Sequence, residues 1–248
     1  MTIYAIGDIH GQIEMLHAAH DRVAQDRAAH GTADAPVVHL GDLCDRGPDS
    51  KGVIDHLIDG ITAGAPWIVL KGNHDRMFQR FTDDPTYHEA RLTNGLTWRH
   101  PRLGGMTTLA SYGVDGNPAR APGDIAADMA FAIPRAHRDF LFTRPLTYKT
   151  DDLIFVHAGI RPGVPLNHQA EEDLVWIRQE FITDTTDHGP LVVHGHTVTE
   201  TPDHAGNRVN LDTGAGYGNP LTVAVFEGRK CWVLTNRGRV PLTPPGYP

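Results

Sequence analysis

The amino-acid sequence predicts an α/β protein whose first half alternates strands with helices. Three short apolar runs, residues 3–6, 36–40 and 67–70, are separated by two segments with helical periodicity. This β-α-β-α-β order implies parallel strands joined by right-handed crossovers. Because a glycine followed by Asp or Asn comes after each run, three polar loops should meet at the carboxyl edge of one sheet, where ligands bind.

The two helices of this first half have recognisable faces and ends. Residues 12–30 place Leu16 and Val23 on one apolar stripe, and a glycine directly after the segment can end the helix. Ser50 is positioned to cap the second helix, which Gly64 ends. Both helices therefore predict crossovers between neighbouring parallel strands.

The regular alternation stops over residues 76–145, where we expect a cap insert with helical pieces, one of them at residues 134–142. The chain of 248 residues is long enough for one core with such an insert, so residues 1–248 are predicted to form one domain. Residues 76–150 contain ten basic and seven acidic residues, a net charge of +3, whereas the remainder carries −11. This contrast suits a cap that receives an anionic substrate, or simply a solvated charged surface.

Strands resume in the last hundred residues. The predicted strands occupy residues 153–156, 191–193, 209–211, 221–226 and 230–234, the last two forming a closing hairpin. A helical piece is expected at residues 171–181, and the Pro-rich tail at residues 241–248 should be loosely ordered.

Composition limits the possible partners and compartments. A net charge of −8 argues against nucleic acid as a main partner, and two cysteines form no disulfide framework. The first strand begins too early to leave room for a signal peptide, and every apolar run is shorter than the roughly 20 residues of a membrane span. We therefore expect a cytoplasmic protein without a membrane partner, and the oligomeric state stays open.

Several residues that can bind metal ions follow predicted strands: Asp8, His10, Asp42, Asn73, His157 and His196. Their oxygen and imidazole donors suit Mn, Fe, Zn or Ni better than Ca. Six ligands are too many for one tetrahedral zinc but suffice for two metals if Asp42 bridges them. Two such ions can clamp a displacement at phosphorus and lower the pKa of a bridging water. We expect two divalent ions, with Mn²⁺ as the first choice.

Five motifs carry these residues in a characteristic order. They are Asp8-x-His10-Gly11, Gly41-Asp42-x-x-Asp45-Arg46-Gly47, Gly72-Asn73-His74-Asp75, His157-Ala158-Gly159 and Gly195-His196. In this respect the chain resembles the calcineurin-like metallophosphoesterases, and the second motif resembles their phosphoprotein phosphatase branch. That branch includes bacterial Ser/Thr phosphatases and symmetrical diadenosine tetraphosphatases. The resemblance implies a four-layer α-β-β-α sandwich of two mixed sheets, with the cap over the strand ends.

The resemblance also implies a role for each motif residue. Asp8 and His10 would hold the first metal, Asp42 would bridge, and Asn73, His157 and His196 would hold the second. His74 would be the general acid, oriented by Asp45. Arg46 and Arg178 look like phosphate clamps, a role that suits fork-shaped guanidinium groups.

Alternatives remain open for some of these residues. His74 could be a metal ligand rather than an acid, and Arg178 could be a solvated charge. His194 could support a neighbouring ligand or simply pack. Asp212 could be a hydrogen-bond partner of a ligating histidine or only a turn former, and Cys44 reads as a small packed residue.

The first functional hypothesis is a phosphatase that attacks phosphomonoesters directly with a metal-bridging hydroxide. Its substrate would be a phosphoserine or phosphothreonine protein or another small phosphoester. The rival enzyme would hydrolyse dinucleoside polyphosphates symmetrically, as with diadenosine tetraphosphate. A non-catalytic metal-bound interaction module is the rival from another class, although such a protein would be expected to lose the acid His74, the bridging Asp42 or the arginines. Residues 104–113 are expected to decide specificity, and Arg99 to matter more for the longer anion.

Overall fold

Two mixed β-sheets lie face to face, with helices on the outer face of each, in the computed structural model, which describes residues 1–246. The predicted four-layer α-β-β-α sandwich is thus confirmed. The strands are β1 Thr2–Ile6, β2 Val37–His39, β3 Trp67–Val69, β4 Thr147–Lys149, β5 Leu153–Val156, β6 Leu191–His194, β7 Asp203–His204, β8 Arg208–Asn210, β9 Val223–Glu227, β10 Lys230–Thr235 and β11 Gly238–Leu242. The α-helices are α1 Ile13–His30, α2 Ser50–Thr62, α3 Asn73–Asp83, α4 Gly105–Ser111, α5 Pro122–Ala132, α6 Arg135–Thr143, α7 Glu171–Trp176 and α8 Gln179–Ile182.

The two sheets each contain three parallel strands that end at a common edge. The first sheet has the order β11-β10-β9-β1-β2-β3, in which β1, β2 and β3 are parallel. The second has the order β4-β5-β6-β8-β7, in which β5, β6 and β8 are parallel. Because parallel strands point the same way, the loops after them gather at one edge of each sheet.

The strands read as continuous apolar runs because both of their faces are buried. In β1, Ile3 and Ala5 belong to the core between the sheets, where they join Phe155 of the second sheet. The alternate residues Tyr4 and Ile6 belong to the core between the first sheet and its helices. Successive side chains of a strand point to opposite faces, so one short run serves two cores.

The insert is helical, as expected, but it packs against the outer layer of the first sheet. Trp98, Leu109 and Phe140 lie in the same hydrophobic core as α1 and α2. Its buried Arg76 makes ion pairs at 3.3 Å with Glu89 and at 2.9 Å with Glu172 of α7. The charge of Arg76 is therefore used in ion pairs within the protein, which does not support the expectation of a basic cap that receives substrate.

Two local expectations need correction. Asp49 rather than Ser50 caps α2, because its Oδ1 accepts a 2.7 Å hydrogen bond from the Gly52 N–H. The helical segment expected at residues 171–181 is broken between α7 and α8, where Arg178 has non-helical backbone angles.

Within residues 1–246, each helix is too short or too polar to cross a membrane.

The Pro-rich tail begins as an ordered strand rather than a loose segment. Residues 238–242 form β11, which pairs with β10 so that Pro241 lies opposite Trp232. Proline is tolerated there because β11 is the edge strand of its sheet. Residues 247–248, at the end of the expected loose tail, lie outside the described residues.

Arg239 of β11 is expected to stabilise the fold through a buried ion pair. Its Nε and Nη2 donate to the Asp26 carboxylate of α1 at 2.9 and 2.8 Å, and the Tyr4 hydroxyl donates to the same group. Arg239→Met should lower the free energy of unfolding by about 2–3 kcal/mol, since it leaves a buried carboxylate short of donors. Urea denaturation would measure this, with the exposed Arg237→Met as the matched control.

The pH dependence of that loss follows from Asp26. Burial raises the pKa of Asp26, but hydrogen bonds from Arg239 and Tyr4 outweigh burial, so the pKa in the folded state is below its ordinary value. The stabilisation is therefore present above a pH of about 4 and fades as the pH falls below it. Equal denaturation midpoints for the two variants at neutral pH would contradict this account.

Candidate functional site

The loops after five parallel strands meet at the common edge of the two sheets. The first sheet supplies Asp8, His10, Asp42 and Asn73, and the second supplies His157 and His196. All six side chains are at most 5% exposed. The six residues that the sequence selected are therefore brought to one buried place by strands from both sheets.

Asp42 belongs to two groups of potential ligands. His10, Asp42 and His74 form one group, and Asp42, His157 and His196 form the other, with the ligand atoms of each group within 4.8 Å of one another. The Asp42 carboxylate lies 3.5 Å from His10 Nε2 through Oδ2 and 3.3 Å from His157 Nε2 through Oδ1. One carboxylate thus faces both groups, as a bridging ligand would.

Asn73 and Asp8 extend the two groups. Asn73 Oδ1 lies 2.9 Å from His157 Nε2 and so adds an amide oxygen to the second group. Asp8 Oδ2 accepts a hydrogen bond from the His196 N–H at 2.9 Å. A Cβ on Gly195 would overlap Asp8 Oδ1, which explains why a glycine precedes His196.

Two buried ligand atoms at this place lack hydrogen-bond partners among the described residues. They are Asp8 Oδ1 and His196 Nε2. Leaving such atoms buried is costly unless something binds them. Carboxylate oxygens, an amide oxygen and imidazole nitrogens form a donor set typical of Mn, Fe, Zn or Ni sites, so the residues fit a pair of divalent ions.

Backbone carbonyls hold two of the histidines in orientations that would suit metal binding. His10 Nδ1 donates to the Cys44 carbonyl at 2.8 Å, and His157 Nδ1 donates to the Leu40 carbonyl at 2.9 Å. A carbonyl can only accept, so each Nε2 keeps its lone pair toward the centre. Burial lowers the pKa of His157 to about 4 and the pKa of His10 well below its ordinary value, which keeps both imidazoles neutral.

Acidic groups crowd the same place. Burial raises the pKa of Asp8 well above its ordinary value, and the charges of Asp212 and Asp42 raise it further. Asp212 Oδ1 accepts a 2.9 Å hydrogen bond from the Gly214 N–H, which fits the turn-forming alternative, yet Asp212 also lines the site. Buried carboxylates that repel one another attract cations.

His74 is held by Asp45 at the edge of the first group. His74 Nδ1 donates to Asp45 Oδ2 at 2.6 Å, and Arg46 Nη2 lies 3.0 Å from His74 Nε2. Burial raises the pKa of Asp45 to about 7 and lowers the pKa of His74 to about 3. Because His74 is also in one ligand group, the geometry accommodates both the acid and the ligand alternatives.

A small cleft of about 210 Å³ opens onto these groups. Its lining includes both arginines that the sequence proposed as phosphate clamps, Arg46 and Arg178, the second of which lies at the break between α7 and α8. The residues that line the cleft are His10, Asp42, Arg46, His74, Arg178, His196, Thr197, Val198, Asp212 and Tyr217. A cleft with two guanidinium groups suits a phosphate group.

The described lining of the cleft lies entirely outside residues 76–145. The expectation that residues 104–113 decide specificity by touching the substrate is therefore not supported by their position. Arg99 is likewise directed elsewhere, because its Nη1 donates to the carbonyls of Gly116 and Asn117. Two residues of the insert, Trp98 and Thr108, instead contact the site on the side away from the cleft, where they donate to Asp45.

Two residues near the motifs whose roles the sequence left undecided, His194 and Cys44, have the surroundings of packed structural residues. His194 is fully buried, its ring lies edge-on to Phe181 at 5.1 Å, and it is absent from the described lining of the cleft, which matches the packing alternative. The Cys44 thiol is buried, and burial raises its pKa, so it is an inert packed side chain.

The sequence analysis missed two kinds of residue at the site. Tyr217 and Val198 form an exposed rim of the cleft, 62% and 45% exposed respectively. Asp75 braces two loops, because its carboxylate accepts hydrogen bonds from the Leu43 and Gly72 N–H groups at 2.8 and 2.9 Å. Asp75 could have been found from its position at the third residue of a helix that begins at Asn73.

Backbone strain is concentrated at the site. Within residues 1–246, six residues other than glycine have positive φ angles, and five of them are motif residues: His10, Asp42, Asp45, Arg46 and His196. Such conformations cost energy and persist where the surroundings enforce them, which is typical of functional sites.

Comparison with known proteins gives the same fold and the same general chemistry. The profile described as "Calcineurin-like phosphoesterase" matches residues 1–218. The chain is 26% identical to the asymmetrical bis(5'-nucleosyl)-tetraphosphatase PrpE of Oceanobacillus iheyensis over 96% of this chain and 93% of that protein. It is 29% identical to PrpE of Geobacillus thermodenitrificans over 90% and 89%.

A solved structure supports the fold alone. The cold-active protein-tyrosine phosphatase of a psychrophilic Shewanella species superposes with a TM-score of 0.66 at 16% identity, covering 98% of this chain and 80% of that chain. At this identity, the similarity describes the architecture and leaves the substrate open.

Asp42→Asn is expected to be the most damaging ligand substitution, because Asp42 faces both groups. Elemental analysis of the purified protein should find two divalent ions per chain in the wild type and substantial loss of both in the variant. Cys44→Ala is the matched control in the same loop and should keep the wild-type metal content. A single tightly bound metal per wild-type chain would refute the two-ion interpretation.

Proposed function

The chain belongs to the calcineurin-like phosphoesterase family, and from this we propose a metal-dependent hydrolase whose preferred substrates are dinucleoside polyphosphates. The observation that carries the proposal is the pair of ligand groups that share Asp42 beside Arg46 and Arg178. Hydrolysis at phosphorus needs cations and guanidinium groups around the transferring phosphoryl group, and this cleft provides both kinds of position.

The ligand residues would divide between two divalent ions, with Mn²⁺ as the first expectation. Asp8 and His10 would hold one ion, Asn73, His157 and His196 the other, and Asp42 both. When bound, the ions supply Lewis acidity and lower the pKa of a water molecule that attacks phosphorus.

Arg46 would change partners when substrate binds. In the structure its guanidinium donates to the Nε2 atoms of His10 and His74. A phosphate group between Arg46 and Arg178 would draw the guanidinium toward its oxygens, with which it forms stronger charge-assisted hydrogen bonds. His74 Nε2 would then be free to face the leaving oxygen, while Asp45 holds Nδ1.

The rim of the cleft supports a nucleotide substrate. The Tyr217 ring lies 4.8 Å from the Arg46 guanidinium carbon, and Val198 and Tyr217 both flank Gly214. A phosphate bound by Arg46 would therefore leave the next group of a longer substrate beside an exposed aromatic face. Bases stack on such faces, and the relatives of similar length are named tetraphosphatases.

This proposal reverses the order in which the sequence ranked the substrates. Phosphomonoesters, including phosphorylated proteins, remain the second candidate because a polar cleft of about 210 Å³ with two arginines suits a single phosphate group. The non-catalytic module is disfavoured by the intact hydrogen bond between His74 and Asp45. The relatives named asymmetrical also make the asymmetrical cleavage mode an alternative to the symmetrical one.

His74→Asn should reveal whether His74 is the acid. We expect kcat to fall by about 10²–10⁴ on substrates with poor leaving groups, because their leaving oxygen needs a proton. The loss should be smaller on p-nitrophenyl phosphate, and the metal content should be nearly unchanged. Equal losses of kcat on substrates with poor leaving groups and on p-nitrophenyl phosphate, or a loss of metal, would indicate that His74 is a metal ligand instead.

Tyr217→Ala should separate the two substrate classes. With Mn²⁺, wild-type kcat/KM should be higher for diadenosine tetraphosphate than for a phosphoserine peptide. The variant should lose about tenfold or more on the nucleotide, since stacking contributes about 1–3 kcal/mol per base, and should act on the peptide as before.

Tyr217→Phe is the matched control for this experiment, because it keeps the aromatic face. It should retain the wild-type preference. A wild-type kcat/KM that is tenfold higher for the phosphopeptide would overturn the proposed substrate while leaving the metal chemistry in place.

A further inference from the structure

The Asp45 carboxylate is held by donors from three separate segments. His74 Nδ1 donates to Oδ2 at 2.6 Å, and Trp98 Nε1 donates to the same oxygen at 2.7 Å. The Thr108 hydroxyl donates to Oδ1 at 2.7 Å. The carboxylate is fully buried, so these three bonds replace its hydration and fix the plane of the carboxylate.

Thr108 also holds the backbone of the motif loop. The Asp45 N–H donates to Thr108 Oγ1 at 2.8 Å and to Ser50 Oγ at 3.1 Å. A Cβ on Gly104 would overlap the Arg46 nitrogen, so the insert lies directly against this loop. Asp45 and Arg46 have φ angles of 74° and 67°, a conformation that needs such support.

Trp98 is itself fixed by the core of the insert. Its ring is stacked at 5.5 Å on Phe78 and lies 4.7 Å from the ring of Phe81. A Cβ on Gly105 would overlap the indole, which explains the second glycine of the Gly104-Gly105 pair. The indole N–H is thus a donor whose position is set by close packing rather than by the site itself.

We propose that Trp98 and Thr108 are positioning residues that act through Asp45 to aim the His74 ring. This inference rests on the proposed function of His74 as the acid. The imidazole follows the Asp45 carboxylate because Nδ1 is bonded to it. If one donor is lost, the carboxylate can turn and carry Nε2 out of line with the leaving oxygen, and misplacements of this kind reduce rates strongly.

The proposal gives a function to residues 104–113, which the sequence singled out without identifying a ligand. Their Gly-Gly step and Thr108 support the Asp45–His74 pair from the protein interior and do not form the surface that faces the substrate. Substitutions of Trp98 and Thr108 should therefore change kcat and leave KM nearly constant, whereas substitutions on the Tyr217 rim should change specificity.

Two conservative variants test the proposal without emptying the core. Trp98→Phe removes the N–H but keeps an aromatic ring, and Thr108→Val removes the hydroxyl but keeps the shape. Each should lower kcat about 10- to 100-fold on a phosphoserine peptide, whose leaving oxygen needs a proton, with a smaller loss on p-nitrophenyl phosphate. KM and metal content should stay at the wild-type values, and Thr108→Ser should restore most of the rate.

The matched control is Tyr112→Phe. It removes another buried hydrogen bond of the insert, the 2.8 Å contact between the Tyr112 hydroxyl and His137 Nδ1, in which Asp45 takes no part. This variant should keep wild-type kcat even if its melting temperature falls as much as that of Trp98→Phe. A loss of rate that follows the loss of stability across all these variants would overturn the proposal.

A double variant separates this proposal from the proposed function. In a His74→Asn background, Trp98→Phe should cause no further loss of kcat, because the ring that it positions is gone. A further loss equal to that in the wild-type background would overturn the positioning role while leaving the hydrolase intact. If the wild type with Mn²⁺ hydrolyses neither substrate, the proposed function fails and this inference fails with it.

Discussion

Asp42 directs one carboxylate oxygen toward an imidazole of each sheet, and the arrangement of the site depends on that shared position. His10 follows a strand of the first sheet and His157 follows a strand of the second, so both can approach Asp42 only if the two sheets end at the same edge. The sandwich is therefore more than a scaffold for one loop. The position of one sheet relative to the other sets the separation of the two ligand groups.

Two hydrogen bonds fix that relative position at the site. The His157 ring donates to the Leu40 carbonyl, and the His196 N–H donates to Asp8, so each bond joins a loop of one sheet to a loop of the other. The residues of the site concentrate unfavourable features, including positive φ angles and buried carboxylates with raised pKa values. Cations that bind only the folded state would offset this cost, which links metal affinity to stability.

The sequence predicted those parts of the site that local patterns specify. Asp8, Asp42 and Asn73 follow apolar runs with glycines beside them, and the order of the strands brings them together. By contrast, Trp98 lies more than 50 positions from Asp45 in a segment without periodicity, so only the tertiary fold reveals its hydrogen bond. The positive φ angle of Asp42 was equally hidden, because it depends on the loops that surround it. Tyr217 reads in the sequence as one more turn residue between glycines.

The structure assigns the front and the back of the site to different parts of the chain. Tyr217 and Val198, which face the open cleft, belong to loops of the second sheet, whereas Trp98 and Thr108 stand behind Asp45 in the buried insert. Exposed loop positions tolerate substitution far better than side chains packed in a core. Substrate preference can therefore diverge through residues 197–217 while the support of His74 is retained. On this view, 26–29% overall identity to proteins named tetraphosphatases constrains the chemistry of the site more than the group that occupies the rim.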